Sequence, residues 1–328
     1  MNSAQVFSRR DWMTSTAQLA AGLSLAGWVG SNPSLASAEG TSTGEDPYAD
    51  IRYCFNTATL RGQKLPVTEL IDLVAAAGYD SIEVWIDELD RHVADGGTLG
   101  DLAKRCRDHG LKVESAIAFA NWLADDPAVA KAECEKARRD MEKVAAIGGS
   151  CIAAPPSGHN NQPIEDWDRA AERLAALAKV GKEAGVQPQL EVWGFSKCLG
   201  NLPEAIRLAT MTDSKDFGIL LDVYHLYKGG SSFQALRLVS GTSMKLFHIN
   251  DYPAMPPRET IGDGDRVFPG DGVAPLDQIL ETLVTNGFRG ALSLELFNQS
   301  YWERPSKWVV ETGLAKMKAA VASAQSQV

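Results

Sequence analysis

A chain of 328 residues with 45% apolar and 23% charged content reads as a soluble globular protein with room for one large α/β domain plus extras. Its formal charge of −10 argues against nucleic acid or an anionic membrane as the main partner, and weakens any reading as a DNA-repair nuclease. The five cysteines, Cys54, Cys106, Cys134, Cys151 and Cys198, show neither a CxxC pair nor zinc-ribbon spacing; Cys54 and Cys151 lie in predicted strands and read as small core residues.

Residues 1–38 are expected to be a twin-arginine-type signal peptide. Ser8-Arg9-Arg10-Asp11-Trp12-Met13 carries the arginine pair, with Trp and Met where Phe and Leu are usual. From Trp12 to Ala38 no residue is charged, an apolar run covers 17–29, and Ala36-Ser37-Ala38 offers a small-residue cleavage site. The run is shorter than the roughly 20 residues that span a bilayer, so no stable membrane insertion is expected after cleavage. The expected location is periplasmic or extracellular. Residues 39–50 read as a polar linker, and residues 51–328 as the catalytic domain.

From there the chain alternates. Apolar, β-branched runs predict strands at 51–57, 81–86, 112–119, 150–154, 187–193, 218–223, 245–250 and 291–297. Between them, apolar residues at 3.6-residue spacing predict helices, among them 66–77, 127–147, 165–184, 203–211 and 275–286. Pro66, Pro127, Pro203 and Pro275 stand at helix starts, where a missing N–H costs nothing. Gly78, Gly110, Gly148, Gly185 and Gly287 stand just past helix ends, where a left-handed residue is wanted. Eight such periods predict an α/β fold of the (β/α)8 TIM-barrel type. An open doubly wound sheet is the alternative, but no GxGxxG follows the first strand.

Four of these strands carry an ionisable residue flanked by apolar ones near the C-terminal end: Glu191, Asp222, His248 and Glu295. A carboxylate or imidazole aimed into an apolar interior is costly unless something pairs with it. Active sites of this fold lie at the C-terminal mouth of the barrel. Neighbouring strands run roughly 4.8 Å apart, so side chains from strands 5 to 8 can reach one ion. Three carboxylates and one imidazole suit Mn²⁺, Mg²⁺ or Co²⁺, with Zn²⁺ also compatible.

The motifs that follow carry a resemblance. They are Leu221-Asp222-Val-Tyr-His225 with Gly229-Gly230-Ser231, Phe247-His248-Ile-Asn-Asp251, Asp265-Arg266-Val-Phe-Pro269-Gly270-Asp-Gly272, and Ser293-Leu-Glu295-Leu-Phe297-Asn298 with Tyr301-Trp302. From about Ile51 onwards the chain resembles the sugar isomerase/epimerase superfamily with a xylose-isomerase-like barrel, and within it the 2-keto-myo-inositol (inosose) isomerases. The resemblance implies that Glu191, Asp222, His248 and Glu295 bind the metal, and that His225 and Arg266 hold substrate oxygens. Ketose 3-epimerases and 3-dehydroshikimate dehydratases share these motifs, so the resemblance does not separate the reactions.

The shared chemistry is removal of a proton from carbon next to a carbonyl. A divalent ion chelating the carbonyl and adjacent hydroxyl oxygens stabilises the enediolate, and a carboxylate beside the substrate moves the proton. Glu191 and Glu295 are the candidate catalytic residues, each needing a free oxygen for the purpose. Two acids acting from opposite faces give epimerisation; one acid working between neighbouring carbons gives isomerisation. Trp193 is a candidate to stack on a sugar face, and Glu83, which repeats the buried-acid pattern on strand 2, is a candidate to line the pocket. His159 is left open between site and packing. The expected partner is a small sugar or cyclitol, with homo-oligomerisation left open. A dehydratase using the same start, and a carbohydrate-binding barrel without turnover, are the competing readings.

Overall fold

The computed structural model describes residues 46–327. Eight short strands form a closed parallel barrel: β1 (Arg52–Asn56), β2 (Ser81–Trp85), β3 (Lys112–Ile117), β4 (Cys151–Ala154), β5 (Gln187–Glu191), β6 (Gly218–Asp222), β7 (Leu246–Ile249) and β8 (Ala291–Leu294). Each pairs with the next, and β8 closes on β1. Several strands stop short of their expected ends. Pairing of β1 with β8 ends at Phe55↔Leu294, so residues 295–297 have left the ladder and turn over the mouth.

Helix ends follow the local rules of the sequence. Pro127 opens the helix Pro127–Ala146, and the Asp126 side chain accepts from Ala128 N–H at 2.7 Å. Gly78 and Gly185 close theirs in the left-handed region, at φ of 90° and 71°. The helices Ile86–Ala94, Leu99–Asp108, Val223–Lys228 and Ser306–Gln325 add to those read from periodicity. The last of these packs against Leu276–Thr285 and Val67–Ala77, closing the outer ring.

Two layers of apolar side chains result. The larger fills the space between strands and helices. The smaller lies inside the barrel and holds Cys54, Ala58, Trp85, Ile117, Cys151, Ala153, Leu220, Leu246 and Ala291. Cys54 and Cys151 are therefore the small core residues expected of them, and both thiols are unpaired. Small side chains there leave volume at the mouth for polar ones. Residues 46–50 form a turn whose Tyr48 is buried in the larger cluster. The expected signal peptide and most of the linker lie outside the described residues. Among the described residues no helix is long and apolar enough to cross a membrane.

Candidate metal centre at the barrel mouth

Strand register stacks the polar residues in levels. Asp222 on β6 pairs with His248 on β7, and His248 with Ser293 on β8. Side chains two residues apart share a face, so Asn250 and Glu295 stand one pleat above His248 and Ser293, towards the mouth. Ligand atoms of Asp222, His248 and Glu295 all lie within 4.8 Å of one another, and all three residues are buried. Glu191, the fourth expected ligand, ends β5 in register with Leu220, one pleat below Asp222. It faces the same cavity but is not part of that three-residue group.

Neighbours hold each donor in place. Asp222 Oδ1 accepts the His225 N–H at 2.8 Å, capping the helix Val223–Lys228, while Oδ2 accepts from Asn250 Nδ2 at 2.8 Å and Arg266 Nη1 at 3.2 Å. Glu295 Oε1 accepts from Asn56 Nδ2 at 3.2 Å and Oε2 from Arg266 Nη1 at 2.9 Å. His248 Nε2 lies 2.9 Å from Glu83 Oε2. Its Nδ1 lies 3.3 Å from Glu295 Oε2 and 3.8 Å from Asp222 Oδ2, without hydrogen-bond geometry to either. Among the described residues Glu191 Oε2 is buried with no partner.

These contacts set the protonation pattern. Burial pushes the Glu191 carboxyl up to about 8, with His248 opposing and Glu295 adding to the rise. Burial would raise Glu295 too, but His248 and Arg266 beside it outweigh burial and hold it at about 2. Burial also opposes charge on His248, yet Glu295 and Glu83 outweigh it and raise the imidazole well above its ordinary value.

The donor set fits a divalent ion. Four carboxylates, Glu83, Glu191, Asp222 and Glu295, are buried with a single guanidinium, Arg266, and two imidazoles, His225 and His248. An unpartnered carboxylate oxygen and an imidazole nitrogen facing two carboxylates are both groups that a cation would satisfy. Oxygen donors with one imidazole nitrogen are the ligand chemistry of Mn²⁺, Mg²⁺, Co²⁺ or Zn²⁺.

Arg266 is 1% exposed, and besides Asp222 and Glu295 its guanidinium donates to Asp263. The loop that carries it is pinned by Asp251, which accepts from the backbone N–H of Gly270, Gly272 and Ala274 at 3.0, 3.0 and 2.9 Å. A Cβ at Gly272 would sit 2.3 Å from Asp251 Oδ1, so glycine is required there. His225 accepts the Gly194 N–H on Nδ1 at 3.2 Å. Burial first, then the Arg266 guanidinium, hold its pKa well below 6.5, so the ring is neutral and Nε2 carries the proton. That Nε2–H faces Arg266 Nη2 at 3.0 Å. Two donors converge there, and an oxygen acceptor between them would take both.

Above these groups is a cavity of about 180 Å³, lined by Glu191, His225, Asp263, Arg266 and Glu295 beneath and by Trp85, Ile117, Phe119, Trp193, Phe195 and Phe297 around them. Trp193 is one ring of an aromatic belt, 6.1 Å from Phe119 and 5.3 Å from Phe195 between centroids. His159 is elsewhere: it borders a separate depression with Leu123 and Asp125, its Nδ1 3.1 Å from Gln162. Asn56 escaped the sequence reading, and Asn250 and Asp251 stood in its motifs with no role assigned. Asn250 and Asp251 stand beside His248 in a strand-end run, the one signal that could have drawn attention to them.

Residues 71–320 match the family model for the xylose isomerase-like TIM barrel. The chain belongs to that family. Among its relatives, the inosose isomerase of Bacillus velezensis is 27% identical over 278 residues, covering 83% of this chain and 97% of that protein. A 3-dehydroshikimate dehydratase of Pseudomonas aeruginosa is 26% identical over 258 residues, covering 76% of this chain but 39% of that longer protein. Among solved structures, the IolI protein with a bound zinc atom superposes with a TM-score of 0.75 at 24% identity, covering 83% of this chain and 99% of that one. The superposition shows the shared barrel.

Proposed function

We propose that the chain is a divalent-metal-dependent isomerase or epimerase of a keto-sugar or keto-inositol. The observation that carries this reading is the group of Asp222, His248 and Glu295 at the mouth, with the partnerless Glu191 oxygen facing the same cavity. The inosose isomerase relative supports an isomerase, and the zinc atom bound by IolI supports a divalent ion. Asp222, His248, Glu295 and Glu191 would hold the ion. Bound there, it would supply Lewis acidity to the substrate's carbonyl and adjacent hydroxyl oxygens.

The rest of the work falls to the side chains. His225 Nε2–H and the Arg266 guanidinium donate to a substrate oxygen and orient it. The aromatic belt packs against the C–H face of a sugar or cyclitol ring, with Trp193 as one wall. Glu191 and Glu295 are pushed apart in acidity, the pattern of a pair that divides acid and base roles. Glu295 has both oxygens engaged by Asn56 and Arg266, whereas among the described residues neither Glu191 oxygen has a hydrogen-bond partner, so one can face the ion and the other stay free. Glu191 is therefore the better proton carrier. One carrier moving a proton between neighbouring carbons gives isomerisation, and we favour it over a two-acid epimerisation.

A second reading is a dehydratase, favoured by the similarity to the 3-dehydroshikimate dehydratase. It would begin with the same proton removal and then expel a β-hydroxyl. Incubating the metal-loaded protein with inososes and keto-sugars in D₂O separates the readings. Deuterium uptake into a product isomeric with the substrate is expected. Loss of water would assign the dehydratase, and a ligand that binds without exchange would leave a binding module. We also propose export: residues 1–38 support it, and a full-length protein found only in the cytoplasm, uncleaved, would overturn it.

A further inference from the structure

One buried acid has no part in the chemistry proposed above. Glu83, on β2, is 0% exposed and does not line the cavity. Its Oε2 accepts from Asn56 Nδ2 at 2.9 Å and from Ser293 Oγ at 2.7 Å, and lies 2.9 Å from His248 Nε2. Because that oxygen already serves as the acceptor for Asn56 and Ser293, its contact with His248 is a donation from Nε2–H. The other ring nitrogen, Nδ1, is the one aimed at Asp222 and Glu295, and among the described residues it has no hydrogen-bond partner. Once the ring carries only its Nε2 proton, the Nδ1 lone pair faces two carboxylate oxygens, an arrangement that a cation between them would relieve.

We propose that Glu83 is a positioning residue for the metal centre: it fixes His248 as the Nε2–H tautomer and thereby commits Nδ1 to the ion. This rests on the metal reading given above. Glu83 is itself locked, since Asn56 spans from Glu83 Oε2 to Glu295 Oε1, and the Asn56 Oδ1 accepts from Trp85 Nε1 at 3.0 Å and Ala58 N–H at 2.9 Å. Ser293 belongs to β8, so strands from three parts of the barrel converge on one carboxylate oxygen. A ligating histidine whose second nitrogen donates to a carboxylate is oriented and made a stronger donor.

The test uses the full chain stripped of metal, with substrate absent. Mn²⁺ is titrated by calorimetry into wild type, Glu83→Ala and Glu83→Gln. Nitrogen-15 spectra of the histidine side chains are recorded with Zn²⁺ bound, and thermal melting checks that each variant is folded. Mn²⁺ is expected to bind Glu83→Ala roughly 10–100-fold more weakly, and Glu83→Gln about tenfold more weakly. In wild type the His248 proton is expected on Nε2 and the ion on Nδ1, with both tautomers present in Glu83→Ala. A role confined to packing would lower the melting temperature without moving the tautomer. If Glu83→Ala does not fold, the near-isosteric Glu83→Gln carries the test. Wild-type affinity and an unmixed tautomer in a folded variant would overturn the positioning role alone. A wild-type chain that takes up no Mn²⁺ would overturn it together with the metal reading.

Discussion

Glu114 and Glu191 are the same residue type, buried to nearly the same degree on the same barrel, and they differ in their company. Glu114, near the N-terminal end of β3, is 2% exposed and ion-paired to Arg52 at 2.5 Å and Lys112 at 2.8 Å. Glu191, at the C-terminal end of β5, is 4% exposed and has an oxygen with no partner among the described residues. At one end of the barrel the cost of burying charge is offset within the chain; at the other it is left open. Burial of an acid alone thus does not mark a site, whereas burial without a partner does.

Exchanging the two acids for glutamines should separate them most widely. Glu191→Gln is expected to lower turnover roughly 10²–10⁴-fold, the usual contribution of a positioned proton carrier, with the fold intact. Glu114→Gln should leave turnover unchanged. Equal losses in both variants would erase the distinction.

Removing the resident cation is the next largest effect. Arg266→Met leaves Asp222 and Glu295 buried without their guanidinium. In urea melts the metal-free protein is expected to lose roughly 3–5 kcal/mol, and added Mn²⁺ should recover part of the loss. Glu114→Gln should cost less, roughly 1–3 kcal/mol, because Arg52 and Lys112 keep contact with water, and Mn²⁺ should not reverse it.

The smallest effect is a slope with pH. Glu191 and His248 are both raised in the folded metal-free protein, so each adds stability that fades as pH climbs towards its folded value. His225, held low, acts in the opposite sense but only below 6.5, where the unfolded ring is protonated. Metal-free stability should therefore fall between about 6.5 and about 8, and the fall should flatten with Mn²⁺ present, since the ion displaces those protons. An unchanged slope with Mn²⁺ would separate Glu191 and His248 from the ion.

Much of the fold was legible because barrel strands and helices obey local rules. Pro127 and Gly78 sit where chain stiffness and left-handed geometry put them, and the apolar period switches between them. The helices Ile86–Ala94 and Val223–Lys228 begin directly at strand ends, with no loop to announce them. At the site, Asp222, His248 and Glu295 stood out as ionisable groups among apolar neighbours. Asn56 and Asn250 carry no charge, and their importance lies in bonds to Glu83, Glu295 and Asp222 that bring together residues far apart in the chain. Arg266 is expected at the site only through its motif; its burial among Asp222, Glu295 and His225 depends on contacts distant in the chain that no local signal announces.

The most direct measurement is the divalent-ion content and affinity of the purified protein. One ion per chain is expected for wild type and for Glu114→Gln, with binding sharply weakened in Asp222→Asn, whose ligand oxygen stands within the group at the mouth. A folded wild-type chain that neither carries nor takes up Mn²⁺, Mg²⁺, Co²⁺ or Zn²⁺ would contradict the metal centre.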